Sequence, residues 1–277
     1  MQTKYQVKAG LAGLLVLQRD EMAATEKDIG KTSLLSLILI LIIFIAGFKL
    51  IRYSVLAVIP LIIGIIWALG LTWLLVGSLN PMTAMMSAIL IGLGIDYAIH
   101  IIALYTEERQ QGVAVKKALV LVYKKTVKGI ITGSITTAIG FMAFGFSSFP
   151  GFSEFGIVLG IGIISVLLAS VLVLPALLMI LGTKKVKVIK QNQSLLFKLE
   201  KIIIKRPWVL VSLVVILSIL AVLKFNDLEF SKNIKDIEPK NLESLVMNDK
   251  IIEKFNFTSD VSIAISNTLE QTREIKK

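Results

Sequence analysis

One acid lies deep in a long apolar run: Asp96, within the stretch GLGIDYAIHII. A carboxyl near the centre of a bilayer costs about 2.5–3.5 kcal/mol on insertion scales, so it is expected to face protein, and such residues usually carry function. The group can take up and release a proton; its other use is a static hydrogen bond to a neighbouring helix. Tyr97 follows it directly, and His100 falls one helical turn later on the same face, where the imidazole can share a proton with Asp96 or simply sit near the interface. Gly92 and Gly94 remove bulk just before the acid and let another helix approach. Further along, Thr132, Ser134, Thr136 and Thr137 form a polar stripe ahead of Gly140. These hydroxyls can line a site around Asp96, or they can bond their own i−4 carbonyls at a packing seam.

What is missing narrows the chemistry further. The chain has no Cys and one His, which leaves no thiolate nucleophile, no disulfide and no set of metal ligands. An aspartyl protease needs two carboxylates sharing a proton, and only one deep acid is present. No enzyme and no cofactor are expected.

The elements that hold Asp96 follow from composition. Of 277 residues 55% are hydrophobic, only 18% are charged, and the mean hydropathy is +0.81, which excludes a soluble globular domain. Six runs meet or approach the roughly 20 apolar residues a membrane-spanning helix needs: 32–48, 53–77, 81–105, 126–147, 152–181 and 207–223. Continuous rather than alternating hydrophobicity argues for helices, so the membrane part is expected to be an all-α bundle. Pro60 and Pro175 fall inside the second and fifth runs, where each removes a backbone bond and invites a kink.

Charges between the runs set the orientation. The first, third and fifth connections carry net charges of +2, +4 (with Lys128, just inside the fourth run) and +7, whereas the second and fourth contain no Lys or Arg. Basic loops collect on the cytoplasmic side, so both termini are expected outside the cell membrane. This topology also accounts for the formal net charge of +11 without nucleic acid. Residues 107–125, with Val113, Val115, Leu119 and Val122 opposing lysines, are expected to lie along the cytoplasmic interface. Glu154, after the Pro150–Gly151 turn, reads as a solvated residue near the outer surface.

The ends differ from the middle. Residues 1–31 precede the first run without a signal-peptide pattern. The tail from 225 to 277 suggests a strand at 228–230, an amphipathic helix at 241–255 and a strand at 261–266, too little to bury a core alone. Both ends are expected to be pieces of larger extracytoplasmic domains.

The combination of GIDYAIH in a span, an amphipathic segment, TTAIGF and the FPGFSEFG turn resembles the resistance-nodulation-division superfamily, in particular its exporters of the mycobacterial membrane protein large (MMPL) type. The resemblance covers essentially the whole chain and is strongest from 80 to 181. It implies two similar halves, each with six spans and a porter domain inserted after the first span. Residues 1–31 would then be the end of the first porter domain, 32–224 a six-helix transmembrane domain and 225–277 the start of the second porter domain. By that motif Asp96 and Tyr97 match the family's proton-coupling pair, while the matching pair of the other half has no counterpart here. The implied function is part of a proton-driven exporter of hydrophobic or amphiphilic compounds, lipids among them, whose partners are the bilayer, protons, substrate and the other half. A sensor or scaffold built on a sterol-sensing-like bundle, without transport, is the alternative, as is a gene fragment without function.

Overall fold

The computed structural model describes residues 13–48, 51–182, 205–225 and 242–255. Two compact units divide the chain, Met1–Asp28 with Asn233–Lys277, and Ile29–Lys232. In order, the helices are α1 (Leu14–Phe48), α2 (Ile51–Leu75), the single turn α3 (Pro81–Ala84), α4 (Met86–Gln110), α5 (Val115–Val122), α6 (Lys128–Met142), α7 (Pro150–Leu181), α8 (Pro207–Phe225) and α9 (Glu243–Phe255). A π turn, Tyr123–Val127, joins α5 to α6, and a 3-10 turn, Ala143–Phe146, follows α6. Six stretches are long and apolar enough to cross a membrane, and no strand occurs among the described residues. The membrane part is all-α.

One local expectation needs correction. The first helix begins at Leu14, not at residue 32, and runs 35 residues. Residues 14–31 are mostly good helix formers without an internal proline, so nothing stops the helix where hydrophobicity does. The amphipathic segment packs one face against the bundle. Gly112, with φ +85°, turns the chain after α4, and α5 then continues through the π turn into α6. Its apolar face buries Ala118, Leu119 and Val122 within the bundle.

In the smaller unit, α9 forms where the amphipathic helix was expected and half-buries Met247, Ile251 and Ile252. The strands expected at 228–230 and 261–266 lie outside the described residues.

Within Ile29–Lys232 the bundle is organised around α7, which packs against α2, α4 and α6. Buried residues make up 61% of its most apolar window, against 0% for α8. Close approach depends on glycine, because lipid offers no hydrophobic drive between helices and dispersion contact must do the work. A Cβ on Gly64 of α2 would stand 2.5 Å from Val166 Cα, and one on Gly162 the same distance from Leu90 Cδ1 of α4. Gly156 and Gly160, four apart on α7, meet the Phe141 carbonyl and the Met142 side chain of α6 in the same way.

The far end of α7 has carbonyls without helical donors. Tyr105 Oη donates to Gly182 O at 2.9 Å, and the Arg52 guanidinium donates to Leu181 O. The Tyr53 and Tyr105 rings pack beside them with centroids 6.0 Å apart. These bonds place the start of α2 and the ends of α4 and α7 together, at the basic end of the bundle.

Alanine substitution at two glycines separates close packing from helix propensity. Gly64→Ala should lower the thermal midpoint in detergent although alanine is the better helix former, with an overpacking cost of about 1–3 kcal/mol. Gly140→Ala, which points into open space, should leave the midpoint unchanged or slightly raised. The reverse order in a melting series contradicts the packing described for α2 and α7.

Candidate functional site

The single turn α3, which leads into the helix that carries Asp96, is fixed at its start by a capping box. Asn80 Oδ1 accepts from the Thr83 N–H at 2.9 Å, and Thr83 Oγ1 accepts from the Asn80 N–H at 2.7 Å, with Pro81 in the first helical position. Asn80 Nδ2 also donates to Glu154 Oε2 at 2.6 Å. Glu154 is therefore not merely solvated: it ties the start of α3 to the first turn of α7. Its sequence context carried no sign of this, since the partner lies 74 residues away.

Along α4 the apolar stripe of Leu90, Gly94, Ala98, Ile101 and Tyr105 is buried against the bundle. Asp96 lies on the opposite side of the helical wheel, on a ridge with Gly92 one turn before and His100 one turn after. All three ridge residues are exposed, and Tyr97 is half-buried at the ridge's flank. Within its own bundle Asp96 is thus turned outward: the helix has one apolar stripe, the stripe takes α7, and the acid lies on the other side.

Asp96, Tyr97 and His100 open onto a groove of about 400 Å³ between α4 and the segment running from the π turn into α6. Gly129 and Gly133, four apart on α6, give the groove its width, since a Cβ at either would meet nothing within 4 Å. Thr126 and Ser134 supply hydroxyls on that wall, with Ser134 beside Tyr97 and its Oγ donating to Ile130 O at 2.7 Å. Lys125 stands at one end of the groove, its Nζ donating to Glu108 Oε1 at 3.1 Å. Glu108 is buried and Lys125 more than half exposed, so the pair is a charge-assisted bond at the margin of the bundle.

The other sequence-selected residues are placed differently. Thr132, Thr136 and Thr137 lie outside the groove lining and donate to their own helix, at 3.0 Å to Lys128 O, 2.7 Å to Thr132 O and 2.8 Å to Gly133 O. Gly94 approaches Val166 and Leu61 closely, whereas a Cβ on Gly92 or Gly140 would meet nothing within 4 Å. Lys125 and Thr126 had no sequence signal as groove residues, because their position depends on how α6 aligns with α4. The glycine pairs 129/133 and 156/160 had one, the four-residue spacing of small residues. Among the described residues no cluster of three or more His, Cys, Asp or Glu offers a metal site. The groove can hold a proton on a carboxyl, an imidazole or a phenol, in contact with hydroxyls and with one ammonium at its end.

A family model described as "MMPL family" matches residues 2–210. A membrane protein of Methanocaldococcus jannaschii is 34% identical over 149 residues, covering 54% of this chain and 38% of the relative. The hopanoid transporter HpnN of Burkholderia multivorans is 25% identical over 178 residues, covering 64% and 20%. An apo-petrobactin exporter of Bacillus anthracis is 25% identical over 237 residues, covering 74% and 31%. The matches span 20 to 38% of the length of these three relatives.

The ridge makes a labelling prediction that suits a chain without Cys. In lipid nanodiscs, His100→Cys should react readily with a small thiol reagent and Ala98→Cys should not, since Ala98 is 1% exposed. Adding Gly133→Leu should slow the reaction at position 100 several-fold by filling the groove. Equal reactivity at 98 and 100 contradicts the assignment of the two faces.

Proposed function

Because this chain belongs to the MMPL family, whose model matches residues 2–210, we propose that it is part of an exporter of hydrophobic or amphiphilic compounds driven by the proton-motive force. The observation that carries the reading is the placement of Asp96 at mid-helix in a membrane-spanning segment, open to a groove that also holds Tyr97 and His100. Asp96 is the group that gains and loses the proton. On this reading Tyr97 and His100 are the neighbouring groups in the groove with which it exchanges that proton.

An ionisable ridge turned away from its own bundle is stable in a bilayer only if another protein surface covers it. On this reading a second, similar half packs over α4 and α6. Gly92 and Gly140 then permit close approach, and Thr132, Thr136 and Thr137 form the seam with their hydroxyls already internally bonded. One proton crossing 100 mV supplies about 2.3 kcal/mol, enough to bias two packings of a bundle that differ by a similar amount. The names of the relatives, a hopanoid transporter and an apo-petrobactin exporter, support a lipid-like or amphiphilic substrate.

The chain is a multi-pass membrane protein. Its end with Arg52, Arg109 and Lys125 is the cytoplasmic end by the distribution of Lys and Arg. Both termini are extracytoplasmic, residues 1–31 and 225–277 being portions of two porter domains.

Two measurements test this. A single Cys introduced at position 190 should stay unlabelled by an impermeant reagent added outside intact cells; labelling there overturns the topology. In energised vesicles, with the chain in its complete transporter, Asp96→Asn should fold and insert normally while export falls to the uncoupled background, and His100→Ala should reduce export less. The amide keeps the shape and the hydrogen bonds of a neutral acid, so well-folded Asp96→Asn protein that still exports would sink the proton-coupling role and leave only packing.

A further inference from the structure

Pro175 lies inside α7 and has no N–H, so the carbonyl four residues earlier, that of Val171, lacks its helical donor. In a membrane-spanning helix such a carbonyl finds no water and needs a donor from another element. Tyr123 provides it, its Oη donating to Val171 O at 2.6 Å. This residue opens the π turn Tyr123–Val127, a local widening of the helix of a kind that recurs at functional sites. Two residues on, Lys125 lines the groove with Asp96 and His100 while bonding Glu108. The same five residues therefore reach the acid groove, the end of α4 and the proline position of α7. Just before Val171, the hydroxyl of Ser170 is buried without a hydrogen-bond partner among the described residues. This part of α7 is thus short of hydrogen bonds even with Tyr123 in place, and loses another without it.

We propose that the π turn Tyr123–Val127 couples the acid groove to a hinge in α7 at Pro175, with Tyr123 as the positioning residue that holds the hinge closed. The transmission half of this proposal rests on the proton-coupling reading of Asp96. The charged and titratable groups facing Lys125 are Asp96, Tyr97, His100 and Glu108 of α4, with Lys124 and Lys128 beside it on its own segment; α7 has no ionisable residue after Glu154. An ionised Asp96 draws the Lys125 ammonium along the groove toward His100, and a neutral one leaves it with Glu108. The move from Glu108 into the groove carries the π turn with it, and with that turn the tyrosine that caps Val171. Separate elements would need a chain of contacts to do this; here the two contacts are two residues apart.

The chemistry allows a double-mutant test, because Pro175→Ala restores the missing N–H and lets α7 bond Val171 itself. Hydrogen exchange read by mass spectrometry on the full chain in nanodiscs should show faster exchange across residues 176–181 in Tyr123→Phe. In the Pro175→Ala background the same substitution should leave those residues unchanged. Equal effects in both backgrounds, or none in either, overturn the cap. Asp96→Asn should in turn alter exchange across 176–181 when Tyr123 is present and lose that effect in Tyr123→Phe. If Asp96→Asn abolishes export but leaves 176–181 unaffected, the π-turn coupling fails and proton coupling stands. Retained export by Asp96→Asn protein removes proton coupling, and the transmission with it, whatever the exchange shows.

Discussion

A peptide group surrounded by hydrocarbon has no water to bond, and this requirement governs the bundle at each level. It selects helices in place of strands for every apolar run. It explains why Thr132, Thr136 and Thr137 turn their hydroxyls onto their own carbonyls. It also explains what happens where α7 cannot serve itself: at Leu181 and Gly182, past its last helical donors, and at Val171, opposite a proline, the missing donors come from Arg52, Tyr105 and Tyr123. Three other segments are thereby fastened to the same half of one helix.

With α7 at the centre, the placement of Asp96 follows from packing. Glycines at 64, 94, 156, 160 and 162 bring α2, α4 and α6 onto α7 at contact distances that no side chain would allow. Burying the apolar stripe of α4 there turns the ridge of Gly92, Asp96 and His100 to the other side. The groove beside the ridge is wide because Gly129 and Gly133 leave it unfilled. One class of residue thus closes the core and opens the site.

Much of this was legible in the sequence, and for identifiable reasons. Hydrophobic length indicated the six spans, and the rarity of an intramembrane acid singled out Asp96 with its neighbours one residue and one turn away. Helix α1 ran past its apolar part because length is set by helix breakers as well as by hydrophobicity. Which way Asp96 faces, by contrast, depended on which stripe of α4 the glycines of α7 admit, a matter of two helices at once. The same holds for Lys125, Tyr123 and Glu154, whose partners lie 17, 48 and 74 residues away. Period and spacing report on one element; register between elements has to be seen.

On the proposed reading α7 is the member against which the bundle packs, and the ridge of α4, covered by a second half, is where protons enter the cycle. The most direct test is proton movement itself. In sealed vesicles holding the complete transporter and a lipid-like substrate, a trapped pH indicator should register proton flux that begins with substrate export and is absent from well-folded Asp96→Asn protein. Substrate export with no accompanying proton flux would contradict the account.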